Sequence, residues 1–159
     1  MPNQTVTALS ASFGISFSLL KQFIKICPKN IWEENFGGWP IWQQVYHALD
    51  AVNFFVLGSG LPASNPPLPQ EVGSLDIPGE DILGQEEMLH YANEMEEKGK
   101  AFLSSLNDEQ LTQKNAALSE AMGDEITYAA VLSMMSAHTL YHLGSCDAAL
   151  RQHGLKGVF

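Results

Sequence analysis

Between Gly58 and Gly79 the chain carries Pro62, Pro66, Pro67, Pro69 and Pro78, together with Gly60 and Gly73. Proline has no amide hydrogen to donate and its ring clashes with the preceding helical turn, so no helix survives that density. An irregular connection this long is unusual inside a compact domain. It is expected to cross between helix ends that are not adjacent and to cover one end of the structure.

On both sides of this segment apolar residues recur at spacings of three and four, the signature of helices with one buried stripe. Thr5 to Cys27 carries Leu9, Phe13, Phe17, Leu20, Phe23 and Ile24 in one row, and Pro28 ends it. Lys29 to Asn35 reads as a short helical turn closed by Gly37 and Gly38. Trp39 to Leu57 is the second long helix, with Pro40 in its first turn and Ile41, Val45, Ala48, Val52 and Phe55 facing inward. Glu80 to Leu106 is the third, with Ile82, Leu89, Ala92, Met95, Phe102 and Leu103 inside and Glu94, Glu96, Glu97, Lys98 and Lys100 solvated. Asn107 to Glu109 caps a short turn, and 112–123 is ambiguous. Asp124 to Arg151 is the fourth long helix, capped by Asp124 and stopped at Gly154. No strand is expected. The prediction is an all-α fold: one domain over residues 1–159, a four-helix bundle with a long proline-rich crossover between its second and third long helices.

The formal net charge of -10, with eight Lys and Arg that form no patch, argues against nucleic-acid binding. The longest apolar runs, such as 129–135, are far shorter than a membrane span. Cys27 and Cys146 alone make no disulfide framework, and the first basic residue is Lys21, so no secretory signal is read and the expected location is cytoplasmic. Charged residues are only 16% of the chain, which leaves a homodimer open.

The chemistry lies in three histidines. His138 and His142 are four residues apart in the last helix, so they lie on one face about 6 Å apart along the axis. His47, in the second helix, shares a row with Gln43, Asp50 and Phe54. Pairing the two helices would bring it opposite the His138/His142 pair and make a three-imidazole metal site with open coordination positions. Thr139 stands where the glutamate of H-E-x-x-H would be, which excludes a zinc-protease reading. No paired Glu-x-x-His motifs point to a di-iron site.

With its size, its helix order, the stretch Trp42 to Phe55 around His47, and the segments 137–144 (AHTLYHLG) and 150–154 (LRQHG), the chain resembles the DinB-like (YfiT-like) four-helix bundle family. The family's last helix often reads H-x-x-x-H-R-G-Q, so Leu143 and Ser145 depart from its usual Arg and Gln. The resemblance implies a divalent ion, typically nickel or zinc, held by His47, His138 and His142. It also implies, in some members, thiol-dependent S-transfer or isomerisation with a low-molecular-weight thiol as co-substrate.

Imidazole ligands suit several metals and do not choose among them. Such an ion can acidify a water for hydrolysis or stabilise a thiolate for transfer to a small electrophile. Transfer is the leading expectation; a hydrolase, or a bundle with a structural metal or a bound small ligand, is the alternative. Among the remaining polar residues, Asp50 is a candidate acceptor for the His47 ring. Tyr141 and Cys146 are read as packing residues, His90 as surface, and His153 as a helix C-terminal residue. Trp32, Trp39 and Trp42 are expected to pack against the bundle end.

Overall fold

The computed structural model describes residues 3–159 and is mostly helical, as an all-α class requires. Its elements are α1 (Gln4–Ile26), α2 (Lys29–Trp32), β1 (Asn35–Phe36), β2 (Trp39–Pro40), α3 (Ile41–Phe55), α4 (Gln70–Gly73), α5 (Gln85–Ser104), a 3-10 turn (Asp108–Gln110), α6 (Ala116–Met122) and α7 (Tyr128–Gln152). Each long helix packs on two others: α1 and α3 both contact α5 and α7. Among the described residues no helix is long and apolar enough to cross a membrane.

Side-chain contacts give the directions. Phe13 lies against Gly99, Lys21 bonds Glu96, and Ile24 accepts from Gln85, so α1 and α5 are antiparallel. Tyr46 stacks on Tyr91 and Asn53 reaches Lys98, so α3 and α5 run the same way. The apolar stripes meet in one core that includes Phe13, Phe17, Leu20 and Phe23 of α1, Val45 and Leu49 of α3, Met88 and Met95 of α5, and Val131, Leu132 and Leu143 of α7. All of these are fully buried. Such burial is the main source of stability for helices of this length.

Several local expectations are corrected. A short antiparallel hairpin does form, pairing Asn35 with Pro40 and Phe36 with Trp39. Gly37 (φ 68°) and Gly38 (φ 101°) supply the left-handed backbone that so tight a turn needs. The third long helix starts at Gln85, not Glu80. The Gln85 side chain donates to the Cys27 carbonyl at 2.9 Å and to that of Ile24. These bonds satisfy the open end of α1. Ile82 is left 48% exposed. The last helix starts at Tyr128, with Thr127 rather than Asp124 as its cap. A bridge between Lys114 and Thr127 keeps the preceding residues extended, and the Thr127 hydroxyl accepts from Ala130 N at 3.3 Å. Glu96 is buried rather than solvated, paired with Lys21 and, at 3.2 Å, with Lys100.

Asn107 and Gln110 form a reciprocal capping box, in line with the cap expected at that turn. Two neighbouring features were not foreseen. Asp108 reaches across to α1, accepting from Thr5 N at 3.0 Å and Val6 N at 2.8 Å. A carboxylate placed there also complements the positive end of the α1 dipole. After Gly154 the chain folds back, and Val158 N donates to the buried Asp147 carboxylate at 2.6 Å.

Candidate metal centre

His47 projects from the middle of α3, and His138 and His142 from successive turns of α7. All three are half-buried, and one ligand atom from each lies within 4.8 Å of the others. The ring centroids are 4.9 Å apart for His47 and His138, 4.5 Å for His47 and His142, and 4.6 Å for His138 and His142. Among the described residues this is the group of His, Cys, Asp or Glu side chains close enough to hold an ion. His47 Nε2 is 3.1 Å from His138 Nε2. Two nitrogens on a tetrahedral zinc would be separated by about 3.3 Å, a similar spacing.

His47 Nδ1 is 2.7 Å from the Gly73 carbonyl, which can only accept. The ring proton therefore resides on Nδ1, and Nε2 presents its lone pair toward the other two histidines. This is how outer partners orient metal-binding imidazoles. His138 has no such support: its Nδ1 is buried without a hydrogen-bond partner. Phe55 packs its ring against that of His138, with centroids 5.7 Å apart.

Burial, reinforced by the neighbouring rings, holds His142 down to about 3. Burial and the proximity of His47 hold His138 down to about 4. Burial also lowers His47, against an opposing pull from the Gly73 carbonyl and Asp50. All three imidazoles are thus neutral at pH 7, the state in which they bind metal. The donor set, the aligned lone pair of His47 and the suppressed protonation fit a divalent ion.

A cavity of about 1050 Å³ opens beside the cluster. His47 and His138 line it; His142 does not. Its walls come largely from α3 and from the proline-rich segment, including Leu57, Leu61 and Leu68. That segment is pinned to α3 by Gln43, whose amide donates to Val72 O at 3.1 Å and Ile77 O at 2.7 Å and accepts from Gly79 N at 3.0 Å.

The other singled-out residues divide. Asp50 does not orient His47: its carboxylate accepts from Tyr91 Oη at 2.7 Å and Asn53 Nδ2 at 3.1 Å, and the Gly73 carbonyl takes the place expected for it. Tyr141 is not packed inside but 76% exposed, its ring 5.1 Å from that of His142. Cys146 is fully buried and its thiol pushed well up by desolvation, which makes it the inert small residue expected. Leu143 is a core residue and Ser145 is half-buried. His90 is exposed. His153 pairs with Glu34 at 2.7 Å. Trp32 and Trp42 are buried, and Trp32 Nε1 donates to Leu83 O at 3.0 Å. Gly73 is the site residue that sequence reasoning missed. Only its place among the prolines after α3 marked it, and that signal says turn rather than ligand support.

No family model matches the chain, and no curated protein or solved structure matches it either.

Proposed function

We propose that this protein is a divalent-metal-dependent enzyme, of the DinB-like four-helix bundle kind, that transfers a small thiol to an electrophilic small molecule. The four long helices are read as one bundle, with residues 56–84 as its crossover. The observation that carries the reading is the convergence of His47, His138 and His142, two of which, His47 and His138, line a large and mainly apolar cavity. A purely structural metal has no need of such an opening, whereas an active site needs room for substrate beside the ion.

Nickel or zinc, when bound, would supply the positive charge that makes a thiol available as thiolate near neutral pH. The chain's own residues do the rest. Gly73 fixes the His47 tautomer and Phe55 packs against His138. The apolar walls limit water around the electrophile. In the transfer a carbon–sulfur bond forms, the electrophile's leaving group departs with its electron pair, and the thiol proton goes to solvent.

The test is metal analysis and zinc or nickel titration of untagged protein, followed by turnover of an aryl halide with and without a small thiol. One bound ion and thiol-dependent turnover, both lost in His142→Ala with modest destabilisation, are expected. Turnover independent of thiol would reassign the protein as a hydrolase. A large stability loss without any turnover would make the metal structural, and failure to bind either ion would overturn the metal reading itself.

A further inference from the structure

Lys98 is a cation in this cavity that forms no ion pair among the described residues, although Glu94, one turn earlier on α5, and Asp50 are near enough to act on its charge. Its ammonium donates to Asn53 Oδ1 at 2.9 Å and Ser64 Oγ at 2.7 Å, both neutral oxygens. The described residues place no carboxylate in ion-pair contact with it. An ammonium has three donors, so one remains after these two bonds. Asp50 is the nearby acidic residue of the cavity, and its Oδ1 is taken by Tyr91 and Asn53. The hydrogen-bonded route from Asp50 to Lys98 runs through Asn53, whose amide donates to the carboxylate and whose carbonyl accepts from the ammonium. The Asn53 and Ser64 contacts hold the Lys98 head in place between α5, α3 and the proline-rich segment.

Much of the rest of the lining is apolar, with Ser59, Gln70 and Ser74 as polar members in addition to the histidines. Its apolar members include Phe54, Leu57, Leu61, Leu68, Met122 and Met134, of which Phe54, Leu57 and Met122 are 40%, 42% and 45% exposed. A concave, mainly apolar lining with a few placed polar groups is the usual form of a small-molecule site. His47 and Asn53 are six residues apart on α3. That sets the Lys98 end of the cavity about 9 Å along the helix from the histidines.

We infer that the cavity binds an elongated apolar molecule carrying one carboxylate, with the carboxylate on Lys98 and the distal end at His47 and His138, the two members of the histidine cluster that line it. This assigns a substrate class to the proposed enzyme and rests on that reading for the role of the distal end. The anion site itself does not require the metal. An acid whose apolar body is about 9 Å long, such as octanoate, matches the spacing along α3.

The experiment is calorimetric titration of octanoate and octanol into metal-free and zinc-loaded protein, for the unaltered chain, Lys98→Met and Lys98→Gln. Octanoate should bind more tightly than octanol and should do so without zinc. Both substitutions should weaken octanoate by about tenfold or more, the effect of one charge-assisted contact, and leave octanol unchanged. Equal binding of acid and alcohol overturns the inference, as does octanoate binding that is indifferent to Lys98. Octanoate binding that appears only with zinc overturns it too, since the carboxylate then ligates the ion. Zinc and nickel titrations of the same samples report separately on the metal: Lys98-dependent octanoate binding in protein that takes up neither ion supports the anion site while sinking the enzyme reading.

Discussion

Replacing His142 by Asn should flatten the acid sensitivity of the metal-free protein. An unfolded imidazole titrates at about 6.5. Folding lowers His142 to about 3, chiefly by burying it. Below pH 6.5 the unfolded chain binds a proton at this position that the folded chain refuses. The stability associated with the neutral ring is therefore complete above pH 6.5 and is lost as pH falls toward 3. At about 1.4 kcal/mol per pH unit, the loss attributable to His142 between pH 7 and pH 5 is about 2 kcal/mol. His142 is half-buried, and solvent screening makes that figure a ceiling. Urea denaturation at both pH values, in a strong chelator, gives the comparison. The unaltered protein should lose more stability on acidification than His142→Asn, by at most about 2 kcal/mol. Equal losses in the two proteins would refute the claim that burial keeps this ring neutral.

Two further substitutions probe the scaffold. A Cβ on Gly73 would lie 2.5 Å from Asp50 Oδ2, so Gly73→Ala should push the carbonyl off His47. Zinc affinity should then fall by about 10- to 100-fold with helix content unchanged, and recover in the Asp50→Ala background; undiminished affinity in a competition titration would contradict the orienting role. In Gly99→Ala the new methyl would meet the buried Phe13 ring on the facing helix. Overpacking of about 1–3 kcal/mol outweighs a helix-propensity gain of about 1 kcal/mol, so the melting temperature should fall and Phe13→Leu should restore it; a more stable single variant would show that the ring moves aside freely.

The helices were legible because each has one apolar stripe, and that stripe is what the core buries. Their ends were harder to read. Gln85 and Thr127 begin helices because of bonds to Cys27 and of the bridge to Lys114, partners that helical spacing does not reveal. The i, i+4 spacing of His138 and His142 put both on one face, and the shared row on α3 pointed His47 toward them. The structure brings all three together. Gly73 and Lys98 stayed hidden for the same reason as the helix ends. Gly73 acts through its carbonyl, which every residue has. Lys98 lay in a run of charged residues that reads as a solvated face until the proline-rich segment folds over it. Asp50 misled because helical spacing gives its neighbours on α3 but says nothing of Tyr91 on α5.

The shared direction of α3 and α5 has a consequence for where the cavity comes from. Antiparallel neighbours can be joined by a tight turn; parallel ones require the chain to travel back the length of a helix. For α3 that return is about 22 Å, which about seven extended residues would cover. Residues 56–84 are far more than the return needs, and the excess is folded into α4 and the wall facing the histidines. The connection is thus compulsory while its length is adjustable. Trimming 60–67 while keeping Gln43's contacts at Val72, Ile77 and Gly79 would leave the topology satisfied and the three imidazoles in place, yet open the chamber. Selection on this one stretch can reshape the chamber without touching a ligand.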